Sequence, residues 1–159
     1  MRGFVSKWMP VIAWMLLIFA GSTDAFSVER TSRFLVPFLR WLDPQISVAT
    51  IATIHFALRK LGHLTEYGVL AVLLWRAVRG TLRSRSSAAT AALVFILSAA
   101  FAASDEFHQL FAPSRSASLG DVFIDIYGAL TGLAICLVIR QRKSALRFAA
   151  ASNSPKDWQ

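Results

Sequence analysis

The sequence predicts an all-α integral membrane protein, a bundle of about four transmembrane helices. Of its 159 residues, 55% are hydrophobic and only 16% are charged, whereas a soluble domain is usually about a quarter charged. Several apolar stretches approach the length of about 20 helical residues that crosses a bilayer. Basic residues flank these stretches, so the net charge of +8 predicts membrane orientation and contact with anionic headgroups rather than nucleic-acid binding.

The N-terminal segment, residues 1–22, is expected to be the first transmembrane helix. Its apolar run, Trp8 to Ala20, follows Lys7. A cleaved signal peptide is the alternative, because Ser-Thr-Asp-Ala ends on a small residue at Ala25, although Asp24 disfavours cleavage there. Under either interpretation the segment that follows lies outside the cytoplasm.

Residues 23–58 are predicted to form an extracytoplasmic amphipathic segment. Arginines are interspersed with Phe, Leu and Trp in its first half, a pattern typical of helices that lie on a membrane interface. Pro37 is expected to break this helix, because proline lacks the amide that a helix interior requires. Asp43 and Pro44 then resemble a helix start, with the aspartate as cap. This helix is expected to continue through His55 into the second span.

Residues 59–139 are predicted to hold the other three spans, at about 60–78, 88–110 and 119–139. A short basic loop joins the first two of these spans, and residues 140–159 form a basic tail. Loops rich in Lys and Arg stay in the cytoplasm, so we expect this loop and both termini to lie inside.

Acidic residues and histidines are concentrated at the outer ends of the last three spans. They recur at spacings of three and four residues, so each group shares a helical face. Charged groups are costly in hydrocarbon, by about 2.5 kcal/mol or more for a central aspartate, so they are expected to face one another. We therefore predict a polar pocket that opens outward. Its predicted lining is Lys60, His63, Glu66, Tyr67, Asp105, Glu106, His108, Gln109, Arg115, Asp121 and Asp125.

Two stretches of this region resemble VanZ-like membrane proteins. Residues 58–67, Leu-Arg-Lys-Leu-Gly-His-Leu-Thr-Glu-Tyr, are similar to that family's Lys-x-x-His-x-x-x-Tyr stretch. Residues 105–132 are similar to its second block, in which Asp-Glu-x-x-Gln precedes an arginine, an aspartate that begins the last helix, and Gly-Ala-x-x-Gly. The likeness covers roughly residues 58–137, half the chain. Asp125 departs from the family, which commonly has asparagine there.

The resemblance implies a small multi-pass protein of the bacterial cytoplasmic (inner) membrane and cell envelope. The family's founding member is associated with low-level resistance to the glycopeptide teicoplanin, and no chemical activity is established for the family. On this basis the pocket is expected to bind an anionic lipid or a cell-wall precursor, with Lys60 and Arg115 as anion contacts. Membrane lipid is the expected partner, and no nucleic acid and no cofactor are expected.

Two other functions fit the same residues. One is a metal-assisted membrane hydrolase, with His63, Asp105 and His108 as candidate ligands of a divalent metal. Its candidate catalytic residues are Glu66, Glu106 and His108, although their spacing matches no established zinc motif. The other is a structural partner of another membrane protein, in which the charged groups only hold the helices together.

Gly128 and Gly132 form a Gly-x-x-x-Gly pair in the last span. Such pairs let two helices approach closely. We expect the pair to pack against the third span, at Ala92, Ala99 and Ala103. Homodimerisation through this pair is the alternative, and nothing in the sequence supports a particular oligomer.

Overall fold

The computed structural model describes residues 2–22, 28–82, 86–110 and 118–152. These residues form five α-helices and no strand, which confirms the predicted all-α class. The helices are α1 (Arg2–Gly21), α2 (Val28–Leu42), α3 (Val48–Leu82), α4 (Ser87–Gln109) and α5 (Leu119–Ser152).

Three of these helices, α1, α4 and α5, are long and apolar enough to cross a membrane. They correspond to the predicted first, third and fourth spans. The last of them, α5, continues as a helix past the predicted end of its span near residue 139 and includes the basic residues that follow. Alanine is the strongest helix former, and the alanine-rich run at residues 145–151 favours this extension.

The central helix of the bundle is α3, which contacts α5, α1 and α4. It contains no stretch as apolar as those of α1, α4 and α5, because charged and polar residues are mixed with apolar ones along it. Two of its polar side chains, His63 and Tyr67, are buried, as are Leu70 and Leu74 below them. One face of the predicted second span is therefore buried in the bundle, where polar groups avoid contact with hydrocarbon.

Hydrogen bonds fix the direction of α1 relative to α3. Near the start of α1, Lys7 Nζ donates to the carbonyl of Gly80 at 2.5 Å. Further along, Trp14 Nε1 donates to the carbonyl of Glu66 at 2.9 Å. Residue numbers rise along α1 as they fall along α3, so the two helices are antiparallel.

The closest contact of α5 is with α3, to which it runs parallel. A Cβ atom added at Gly128 would overlap the backbone of Leu64, and one added at Gly132 would overlap the carbonyl of Gly68. The predicted packing of this glycine pair against the alanines of α4 is therefore wrong. In α3, Gly68 supplies a second position without a side chain, and a Cβ there would lie 3.4 Å from the Gly128 carbonyl.

The amphipathic segment forms α2, and the predicted break at Pro37 is wrong because the helix runs through it. The carbonyl of Arg33 loses its usual partner to this proline, but both residues are exposed, so water can hydrate it. The helix lies against the N-terminal part of α3, where Ser32 Oγ and His55 Nε2 are 3.1 Å apart.

The start of α3 also differs from the prediction. The helix begins at Val48, and Ser47 caps it by accepting a hydrogen bond from the Thr50 amide at 3.0 Å. Asp43 instead closes a turn, in which its Oδ1 accepts from the Gln45 amide at 3.0 Å. Aspartate and serine side chains can both accept hydrogen bonds from nearby backbone amides, and here it is the serine that caps the helix. The expected single helix through His55 into the second span is present.

The α3–α5 contact predicts that Gly128→Ala destabilises the bundle by about 1–3 kcal/mol, because the added methyl group meets backbone rather than a flexible side chain. The measurement is thermal unfolding of the purified protein in detergent. Gly62→Ala is the matched control, since nothing lies within 4 Å of a Cβ atom added there. Equal unfolding temperatures for the two variants would contradict the close contact.

Candidate functional site

One end of the bundle holds a layer of buried polar side chains that come from four helices. Its α3, α4 and α5 members are residues of the predicted pocket, and the structure brings them together. Ser22, just past the end of α1, joins them, although no pattern in the sequence distinguishes it from its neighbours. We call this group the polar layer: Ser22, His63, Tyr67, Asp105, Glu106, Gln109, Asp121 and Asp125.

At the outer edge of the layer, two cations of α3 bind one carboxylate of α5. Arg59 Nη2 lies 3.2 Å from Asp121 Oδ2, and Lys60 Nζ contacts Asp121 Oδ1. The aspartate is buried, whereas both basic side chains are about a quarter exposed, at 26% and 23%. The Nε atom of Arg59 is itself buried and has no hydrogen-bond partner within the described structure.

One helical turn deeper, a histidine and a second aspartate form a buried pair. His63 Nδ1 lies 3.0 Å from Asp125 Oδ1, and the two residues are 6% and 1% exposed. Because α3 and α5 are parallel, residues one turn further along both helices are again opposite each other, so this buried pair follows the ion pair at the edge.

The end of α4 connects the layer to α1. Asp105 Oδ2 accepts a hydrogen bond from Ser22 Oγ at 2.6 Å and another from Gln109 Nε2 at 3.3 Å. His108 does not join them; its ring stacks on Phe19 of α1, with centroids 3.9 Å apart. Of the predicted α4 face, Asp105 and Gln109 therefore share a hydrogen bond, whereas His108 packs on the first span.

Glu106 binds the start of the last helix. Its Oε1 accepts a hydrogen bond from the backbone amide of Ser118, just before α5 begins. Glu66, on α3, is half-buried, and its backbone carbonyl accepts the hydrogen bond from the Trp14 indole N–H. Arg115, the predicted anion contact of the connecting segment, lies outside the described residues, so its role remains a prediction.

The candidate metal ligands have separate partners. His63 pairs with Asp125, His108 stacks on Phe19, and Asp105 binds Ser22. In the ranges that the structure describes, no three His, Cys, Asp or Glu side chains are grouped so that they would hold a metal ion. This geometry gives no support to the hydrolase hypothesis.

A protein-family model described as VanZ/LLP1 matches residues 7–140. The chain belongs to the VanZ/LLP1 family. The match confirms the predicted resemblance and extends it beyond residues 58–137 to α1 and α2. The whole polar layer lies within the matched range. Comparisons with curated proteins and with solved structures gave no match.

Several buried atoms in the polar layer of this VanZ/LLP1 protein have no hydrogen-bond partner among the described residues. They are Tyr67 Oη, Asp105 Oδ1, Glu106 Oε2 and Gln109 Oε1, and His108 Nδ1 at the edge of the layer shares this property. Buried polar atoms are normally paired in folded proteins. The layer therefore has hydrogen-bonding capacity beyond what its own side chains use.

The His63–Asp125 pair can be tested with the residue that is common in VanZ-like proteins. Asp125→Asn is expected to unfold close to the wild type, because an amide can donate to or accept from the imidazole. Asp125→Leu leaves the buried Nδ1 of His63 unpaired and is expected to cost about 1–3 kcal/mol. Thermal unfolding in detergent measures both. Wild-type stability of Asp125→Leu would show that the pair does not stabilise the layer.

Proposed function

We propose that this VanZ/LLP1 protein binds an anionic envelope lipid or cell-wall precursor at the polar layer. The observation that carries the proposal is the contact of Arg59 and Lys60 with the same carboxylate, Asp121. Two cations on one carboxylate leave an excess positive charge, and Arg59 Nε is a buried donor without a partner in the described residues. A phosphate oxygen accepts strong, charge-assisted hydrogen bonds from such donors.

The partial exposure of the two basic side chains supports the same proposal. Arg59 and Lys60 each remain about a quarter exposed, at 26% and 23%, so a ligand can reach part of each cationic side chain while the carboxylate between them is buried. Asp121 holds them in place at the mouth of the layer. A ligand phosphate would therefore meet two positioned donors rather than two free side chains, which lowers the entropic cost of binding.

We further propose that the polar layer faces the exterior of a bacterial inner membrane. The opposite end of the bundle is basic: the start of α1 brings Lys7 to the end of α3, beside Arg79, and α5 carries its basic run beyond residue 139. The positive-inside rule favours this end in the cytoplasm, together with both termini. The helix directions agree, because α1 runs antiparallel to α3.

The topology predicts that cysteines at the two ends of α5 react from opposite sides. In a Cys136→Ala background, Leu119→Cys is expected to react with an impermeant maleimide added to intact spheroplasts. Ser144→Cys should react only after the membrane is opened. Both native residues are exposed, so accessibility within the fold is matched. The reverse pattern of labelling would invert the proposed orientation.

Lipid binding predicts opposite effects for two variants of the outer ion pair. The probe is phosphatidylglycerol, compared with phosphatidylcholine, in nanodiscs or by native mass spectrometry. Arg59→Gln is expected to lower affinity for phosphatidylglycerol about tenfold, as the loss of one charge-assisted hydrogen bond implies. Asp121→Asn removes the competing carboxylate and is expected to raise that affinity. Arg142→Gln, at an exposed position of the basic end, is the control and should change neither.

A purely structural network predicts a different result. Both Arg59→Gln and Asp121→Asn would then lower the unfolding temperature and leave lipid selectivity unchanged. Glycopeptide resistance supplies a cellular measurement of the same proposal: expression in a teicoplanin-susceptible host is expected to raise the inhibitory concentration, and Arg59→Gln to abolish the increase at equal membrane yield. An unchanged inhibitory concentration would separate resistance from lipid binding.

A further inference from the structure

We infer that the α4 side chains of the polar layer, together with Tyr67, recognise a primary ammonium group that the ligand carries close to its phosphate. The inference rests on the proposed function and adds a second recognised group to it. Arg59 and Lys60 would bind the phosphate, whereas the acidic side chains of α4 offer negative charge and hydrogen-bond acceptors.

The first observation concerns charge. Asp105 and Glu106 are adjacent on α4 and are 1% and 6% exposed. Their described hydrogen-bond donors are the Ser22 hydroxyl, the Gln109 amide and the Ser118 backbone amide, all of which are neutral. Burying a carboxylate without a nearby cation is costly. A positively charged guest would add a compensating charge to the neutral donors that the described residues supply.

The second observation concerns unused acceptors. One oxygen of each carboxylate has no partner within the described structure, and neither has the Gln109 carbonyl oxygen nor the Tyr67 hydroxyl. Tyr67 and Gln109 are both 0% exposed, so bulk water does not serve these atoms. All of these oxygens can accept hydrogen bonds, and what they lack is a donor.

A primary ammonium satisfies both requirements, because it carries a positive charge and three N–H donors. A sugar hydroxyl brings a donor without the charge, and a quaternary ammonium brings the charge without a donor. A metal ion is disfavoured, since no suitable group of ligands occurs in the described ranges. The combined chemistry is that of a phosphoethanolamine headgroup.

The test compares phosphatidylethanolamine with phosphatidylcholine in nanodiscs that contain the full chain. The wild type is expected to prefer the primary amine about tenfold, and Tyr67→Phe and Asp105→Asn to reduce that preference. Tyr67→Phe removes no hydrogen bond of the described structure, so its fold should be intact. Ser98→Ala is the matched control: Ser98 is also a buried α4 residue with an unpartnered hydroxyl, but it lies two turns below Asp105. It should leave the preference unchanged.

Failure of this inference is distinguishable from failure of the proposed function. Equal binding of the two zwitterionic lipids, with Arg59-dependent binding of phosphatidylglycerol intact, overturns the ammonium subsite alone. Loss of phosphatidylglycerol selectivity as well overturns both. A Tyr67→Phe variant that changes unfolding temperature but not lipid preference assigns the hydroxyl a structural role and also overturns the inference. Soluble phosphoethanolamine as a competitor then identifies the source: competition indicates headgroup recognition alone, and its absence indicates a membrane lipid.

Discussion

The parallel crossing of α3 and α5 sets the geometry on which the rest of the bundle depends. At Gly128 and Gly132 the two backbones meet without intervening side chains, and no larger residue fits at Gly128 without displacing the Leu64 backbone. A contact this close fixes the rotation and the register of both helices. Consequently, Asp121 faces Arg59 and Lys60. One turn further along both helices, Asp125 faces His63.

The bilayer explains why these pairs are stacked at one end. From Lys60 to Gly80, α3 spans about 30 Å at 1.5 Å per residue, which equals the thickness of the hydrocarbon core. Both ends of this interval are held by polar contacts: Lys60 with Asp121, and the Gly80 carbonyl with Lys7. Between them the helix is mostly apolar beyond Tyr67. Polar groups on a helix that is sheltered by three apolar neighbours escape the cost of facing lipid.

The features that follow from one-dimensional patterns could be predicted from the sequence, and those that depend on the choice between neighbours could not. Hydropathy and helical spacing placed the all-α class, the apolar spans and the polar residues at one end. The glycine pair predicts close helix packing but not which helix is the partner, because α4 has small alanine residues and α3 has Gly68. The predicted helix break at Pro37 is wrong, because an exposed helix tolerates the loss of the backbone hydrogen bond that the proline cannot donate. Ser22 carries no local signal; only the antiparallel packing of α1 brings its hydroxyl to Asp105.

The pattern of satisfied and unsatisfied groups is what argues for a ligand rather than for a network that serves only the fold. A network selected for stability would use its strongest groups on one another. Here the cations bind Asp121 at the edge, while the hydrogen-bond donors that the described residues offer to Asp105 and Glu106 are neutral. Among the residues that the structure describes, Arg59 Nε has no acceptor, and one oxygen each of Asp105 and Glu106 has no donor. The unpartnered donor thus belongs to α3 and the unpartnered carboxylate oxygens to α4, an arrangement that suits a guest with both charges better than it suits closure of the bundle.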